Sequence, residues 1–262
     1  MSKYQYALIV AAVSLFAILY FGFSTKNSKQ RTNETANAIS GESTSIETLM
    51  TDAQKRLTPE AASEINVATA ALAGAKTADE KKQLLKRLSG LWYKYREIPA
   101  AASLAEEVAV IENSDSAWSV AGALYFDGLT ASKDSKIRDF CAGRAIKSFE
   151  SAASIKPDQV SHRVNLALVY AENPPPDNPM KAVLMLRELE QKYPNEVSVY
   201  NALGRLAIKT GQWQRAIERL EKARTLDPKN PNAPCLLAKA YQGAGMTDKA
   251  NEMNTICEHN NL

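Results

Sequence analysis

Val197 to Pro228 reads VSVYNALGRLAIKTGQWQRAIERLEKARTLDP, two amphipathic helical patterns joined at Thr210-Gly211-Gln212 and closed by Asp227-Pro228. Its landmarks recur at a fixed interval. Moving 34 residues forward, Leu203 falls on Leu237, Gly204 on Ala238, Gly211 on Gly245 and Ala216 on Ala250. Moving 34 residues back, Ala216 falls on Ala182, Leu220 on Leu186, Ala223 on Leu189 and Pro228 on Pro194. A register held over this many positions is an internal repeat. Small residues at Gly204 and Ala216 let two antiparallel helices approach closely. Gly211 suits a helix C-terminus, and Pro228 stops the second helix. One such hairpin cannot bury its apolar face alone, so copies must stack.

Tyr200, Leu203, Gly204, Ala207, Ala216, Leu220 and Pro228 occupy the spacing W-x2-L-G-x2-Y, A-x3-F, P, and on these residues the chain resembles the tetratricopeptide repeat (TPR) family. The resemblance implies an all-α helix-turn-helix solenoid that binds a protein or peptide partner and carries no catalytic site. It extends to Trp118, Gly122, Tyr125, Ala145, Phe149, Ala152 and Pro157, and to Leu166, Ala167, Tyr170, Ala182, Leu186, Leu189 and Pro194. Units are therefore expected at about 114–159, 160–196, 197–230 and 231–262. Tyr125 to Ala145 is eleven residues longer than the matching interval in the central unit, which predicts an expanded turn within DGLTASKDSKIRDFCAG. Three extra residues fall around Pro174-Pro175-Pro176. In the last unit Asn254 stands where the pattern wants a large apolar residue, as suits a terminal capping helix.

Before the repeats the chain divides into three parts. Tyr4 to Thr25 contains no charged residue, and Tyr4, Tyr6, Tyr20, Phe21 and Phe23 cluster at its ends. About 20 apolar residues cross a roughly 30 Å hydrocarbon core, with aromatics at the interfaces. A membrane-spanning helix over 4–25 is expected in preference to a cleaved signal peptide, whose apolar run is about 7 to 15 residues. Lys3 lies on one side and Lys26, Lys29 and Arg31 on the other, so charge does not set the orientation. A short tail before a long domain places that domain outside the cytoplasm. The expectation is a single-pass bacterial inner-membrane anchor with a periplasmic C-terminal domain. Residues 26–45 are polar and read as a flexible linker. Residues 46–113 read as alanine-rich helices. Thr58-Pro59-Glu60 starts one helix, and Thr77 with Glu80 forms a capping box before Leu84, Leu85, Leu88, Leu91 and Trp92. With Ala101, Ala105 and Val108 these make a degenerate TPR-like hairpin without its closing proline.

A net charge of +3 over 262 residues is too weak to point to nucleic acid. No P-loop, GxGxxG, GxSxG or HExxH motif occurs, and no acid, base, nucleophile or ligand set converges, so neither catalysis nor a cofactor is expected. Cys235, Cys257 and His259 lack an apparent fourth ligand, so no metal site is expected. An antiparallel last hairpin brings Cys235 and Cys257 to the same end, where they form either a disulfide or two buried thiols in contact.

Carried over from the family, the inner-groove positions are Ser119, Ala123 and Phe126, then Val164, Asn165 and Leu168, then Asn201, Arg205 and Lys209, then Asn232, Lys239 and Gln242. This surface is apolar toward the N-terminal units and basic or amide-rich toward the C-terminal ones. It suits an extended peptide or helix with an apolar segment and an acidic end. The family's carboxylate clamp is not reproduced. Taken with the expected anchor over 4–25, the resemblance implies a membrane-anchored scaffold or adaptor. The alternatives are an envelope assembly factor or holdase similar to TPR proteins of cytochrome c maturation, and an organelle import receptor with a cytosolic TPR domain.

Overall fold

The structure, a computed structural model, describes residues 45–260. The expected membrane helix over 4–25 and all but the last residue of the expected linker lie outside the described residues. Among the described residues there are twelve α-helices and no strands, and no helix is long and apolar enough to cross a membrane.

The helices are α1 (Ile46–Arg56), α2 (Pro59–Ala73), α3 (Ala78–Lys94), α4 (Ile98–Glu112), α5 (Asp115–Ala131), α6 (Ser135–Ile155), α7 (Val160–Glu172), α8 (Lys181–Lys192), α9 (Val197–Lys209), α10 (Trp213–Leu226), α11 (Asn232–Gly243) and α12 (Thr247–Asn260). From α3 onward they pair as hairpins, α3 with α4 through α11 with α12, and each hairpin packs on the next. The first helices of successive hairpins also touch, α5 with α7, α7 with α9 and α9 with α11. They form one inner layer, with the second helices outside it.

Side chains at the helix ends explain where each element begins. The Thr58 hydroxyl accepts the Ala61 N–H, with Pro59 in the first turn. The Thr77 hydroxyl accepts the Glu80 N–H at 3.1 Å, while Glu80 Oε2 accepts the Lys76 N–H at 2.9 Å. These caps satisfy amide groups that have no carbonyl partner within the helix. The break at Thr58-Pro59 sends α1 and α2 to different neighbours: α1 packs on α4 and α2 on α3.

Three turns share one geometry. At Gly211 φ is 69° and at Gly245 it is 75°, and in the first hairpin Arg96 occupies the same place with φ 65°. The hydrogen bonds repeat as well. The N–H groups of Arg96, Gly211 and Gly245 donate to Tyr93, Ile208 and Gln242, and those of Glu97, Gln212 and Met246 donate to Trp92, Ala207 and Tyr241. This is a left-handed helix end. It makes α3/α4 a repeat of the same kind, with Trp92 at the place of Ala207 and Tyr241. A left-handed conformation crowds the Cβ of any residue but glycine. Arg96→Gly is therefore expected to stabilise the domain by about 0.5–1 kcal/mol, even though glycine restricts the unfolded chain less. Urea unfolding measures this, and a loss of stability would show that the arginine side chain holds the turn.

The expected expanded turn after Tyr125 is absent. The extra residues lengthen both helices instead, to 17 residues in α5 and 21 in α6, against 13 in α9 and 14 in α10. Only 132–134 interrupts them, because Leu129, Ile137, Phe140 and Cys141 continue the apolar stripe into the core of this hairpin. Asp134 caps α6 by accepting the Lys136 and Ile137 N–H groups. The long helices cross tightly: a Cβ on Gly128 would lie 2.9 Å from the Cys141 sulfur. Arg138 ties the extension to the next repeat through the carbonyls of Leu129 and Glu172.

Candidate inner-face binding site

The inner layer is positioned by close contacts in each hairpin. A Cβ on Gly122 would lie 2.8 Å from the Phe149 ring, and one on Gly204 2.5 Å from Leu220 Cγ. Helices that touch this closely aim the next face of α5 and α9 away from the outer layer.

The residues expected to line that face separate into three kinds. Phe126 and Leu168 are half-buried and lean on the core clusters beneath them, and Val164 is buried. They form an apolar wall more than free contacts. Lys209 is not a free cation: its ammonium donates to the Ala171 carbonyl at 2.7 Å and to Glu172 Oε2 at 2.8 Å, clasping α9 to the end of α7. Asn201 donates through Nδ2 to Asn230 Oδ1 at 3.3 Å, and its own Oδ1 is buried without a partner among the described residues. Asn165 is half-buried, and Ala123 and Asn232 are exposed. Arg205, Lys239 and Gln242 remain as the exposed groups of the C-terminal repeats, and neither cation forms an ion pair among the described residues.

Four further inner-face residues escaped the sequence reading. With Trp92 in register with Ala207 and Tyr241, Tyr93 falls beside Ile208 and Gln242, and it is 42% exposed. Gly90 lies one turn before it, and a Cβ there would meet nothing. Val120, 56% exposed, and Asp127 continue the stripe of Ala123 along α5. Arg96 in place of the expected glycine concealed the register that would have found Gly90 and Tyr93.

Between α5 and α7 the buried His162 accepts or donates at Nδ1 with the Ser119 hydroxyl, 2.8 Å away, and meets Asp115 Oδ2 through Nε2 at 3.1 Å. Hydroxyl, imidazole and carboxylate in series resemble a hydrolytic triad. The backbone N–H groups around Ser119 lie within α5, however, and supply no pair of donors for a developing oxyanion. The cluster acts as a clasp between repeats. A second clasp joins Tyr125, whose hydroxyl donates to Glu106 Oε2 at 2.7 Å, with Arg144, which reaches the same carboxylate at 3.0 Å. Burial pushes the Tyr125 phenol well above its ordinary range.

At the C-terminal end Cys235 and Cys257 are joined as a disulfide across α11 and α12, with Cα atoms 4.9 Å apart. Of the two states open to these thiols, the structure has the bond. Cys141 is buried in the α5/α6 core, and burial pushes its thiol up to about 12. No group of three or more His, Cys, Asp or Glu side chains that could hold a metal gathers among the described residues.

The model of the tetratricopeptide repeat family matches residues 207–254, from the last turn of α9 into α12. No curated protein matches the chain. Among solved structures, the thermophilic TPR protein TTC0263 of Thermus thermophilus is 16% identical, with a TM-score of 0.52 over 68% of this chain and 91% of that one. MamA is 17% identical, covering 70% of this chain and 92% of its own at a TM-score of 0.40. YrrB, described as a TPR protein with an unusual peptide-binding site, is 16% identical, covering 68% and 84% at 0.37. The first of these likenesses is one of fold, a helical repeat solenoid.

Proposed function

We propose that this tetratricopeptide-repeat protein is a membrane-anchored adaptor whose inner face binds a segment of a protein partner, with the acidic end of that segment on α9 and α11. The observation that carries this reading is the pair Arg205 and Lys239. They stand exposed on neighbouring inner-layer helices while Lys209 beside them is neutralised by Glu172. An apolar wall at Phe126 and Leu168 lies toward the other end. Unpaired cations beside an apolar surface suit an amphipathic or extended segment that ends in carboxylates.

Reversing both charges, Arg205→Glu with Lys239→Glu, is expected to lower capture of partner from envelope extracts about tenfold at about 50 mM salt, and to flatten the fall in capture seen for the unaltered protein at about 300 mM. Quantitative mass spectrometry of the captured material measures both. Unchanged capture at both salts would discard the groove reading.

The anchor is the segment 4–25, and the domain belongs on the periplasmic side of a bacterial inner membrane. The Cys235–Cys257 bond supports an oxidising compartment, since such bonds persist there and are rare in the cytosol. It likewise favours an envelope assembly factor or holdase over a cytosol-facing import receptor. A membrane-impermeant thiol reagent, applied to a single cysteine placed in 26–45, tests the side: labelling before the inner membrane is opened supports this placement, and labelling only afterwards overturns it.

A further inference from the structure

The N-terminal end of the inner face is unlike the C-terminal end in charge. Tyr93 presents its ring to solvent, and its hydroxyl reaches Asp127 Oδ2 only at 3.5 Å. A contact that long leaves the acceptor capacity of the carboxylate almost unused. Two cations of α3 are engaged elsewhere. Lys94, adjacent to Tyr93, donates to Glu64 Oε2 at 2.9 Å, and Lys86 donates to Glu112 Oε1 at 2.6 Å. Asp127 is therefore a half-buried carboxylate beside an exposed aromatic ring, with no cation of its own among the described residues. On the same α5 stripe Val120 and Ala123 are exposed, and on α3 Gly90, one turn before Tyr93, leaves open space where a side chain would stand.

We propose that Tyr93, Asp127, Val120 and Gly90 form a subsite for a lysine or arginine side chain flanked by an aliphatic residue of the bound segment. The inference rests on the inner-face reading above and gives the partner its polarity. The ammonium or guanidinium lies over the Tyr93 ring and pairs with Asp127, and the neighbouring aliphatic side chain covers Val120 above the gap at Gly90. A ring face and a carboxylate together favour a cation over any neutral group. Asp127 repels the acidic end of the segment, which Arg205 and Lys239 attract, so only one polarity fits. The subsite and the basic end are three repeats apart, roughly 25–30 Å at about 8–10 Å per packed helix. An extended segment covers that in about 8 residues.

The test is selection of a random peptide library, about 16 residues long and displayed on phage, against the full chain held in a detergent micelle. Selected peptides are then synthesised and titrated by fluorescence anisotropy against the unaltered chain, Asp127→Asn and Arg205→Glu with Lys239→Glu. The expected pool carries Lys or Arg beside an aliphatic residue, about 8 positions from an acidic pair. Asp127→Asn, which is isosteric and leaves the fold intact, is expected to weaken these peptides about two- to fivefold. A pool whose acidic residues respond to the charge reversal, but whose cation is missing or indifferent to Asp127→Asn, overturns the subsite and leaves the inner-face reading standing. Selected peptides that respond to neither variant overturn both.

Discussion

Replacing Cys235 and Cys257 by serine is expected to lower the stability of the last hairpin by about 3 kcal/mol, as the closure of a loop of this size predicts. The two cysteines are 22 residues apart in sequence and close a loop that contains most of α11 and most of α12. The position magnifies the effect. In a repeat array each hairpin is held by its neighbours, and α12 packs chiefly on α11, with α10 reaching it through Arg224 at the Met253 sulfur. Asn254 and Thr255 are exposed on α12, and its buried contribution is largely Ala250 and Met253. Without the bond those two residues and Ile256 are too small a contact to hold the helix against its conformational entropy. Hydrogen exchange should therefore find the amides of α12 unprotected in the double serine variant, with α5 to α8 unchanged. Equal protection of α12 in both proteins would show that packing alone retains it.

Gly204→Ala should destabilise the central hairpin by about 2–3 kcal/mol, although alanine is the better helix former. The added Cβ would lie 2.5 Å from Leu220 Cγ and 2.6 Å from its Cδ2. Leu220 is fully buried in a cluster with Ala216, Leu237 and Tyr241, so it has no empty direction in which to move. Leu220→Ala alone leaves a cavity and should cost about 3–4 kcal/mol. Combined, the methyl group of the first change occupies part of the space vacated by the second. The double variant should be more stable than the sum of the two by at least about 1 kcal/mol. Thermal or urea unfolding of the four proteins completes the cycle, and strict additivity would mean that the two helices separate to admit the methyl group.

Gly204 and Leu220 show why the repeat was readable in one dimension. Close helix crossing needs a missing side chain opposite a large one, and this pair recurs as Gly122 with Phe149, set eleven residues further apart by the longer hairpin. The left-handed turns at Gly211 and Gly245 were readable for a similar reason, since few residues tolerate that conformation. Arg96 is the exception that hid the register of the degenerate α3/α4 hairpin, because its neighbours Trp92 and Glu97 impose the turn through hydrogen bonds that the arginine does not advertise. The long α5/α6 hairpin was misread for the opposite reason. A register measured against the central unit reports extra residues as a gap, and does not say whether they form a loop or continue two helices. The alternation of Leu129, Ile137 and Phe140 with charges carries that information.

At the candidate site, sequence position located the face but not the state of each group. Lys209 and Arg205 are four residues apart and belong to the same pattern. Only the approach of the α7 C-terminus, with the Ala171 carbonyl and Glu172, distinguishes a structural clasp from a free cation. Likewise Asp115, Ser119 and His162 become one cluster only when α5 and α7 lie side by side. Contacts between repeats depend on how far each hairpin is rotated against the next, and no short motif encodes that rotation.

The most direct measurement of the central claim is site-specific photocrosslinking in the native host. A photoreactive residue is placed in turn at Val120 and Arg205 on the inner layer, and at Leu184 and Lys222 on the outer one. All four positions are exposed and none caps or clasps a helix, so the substituted proteins should fold. The binding face proposed here predicts one and the same protein adduct from Val120 and Arg205, and none of that mass from Leu184 or Lys222. An adduct formed from the outer positions alone would contradict it and move the binding surface to α8 and α10.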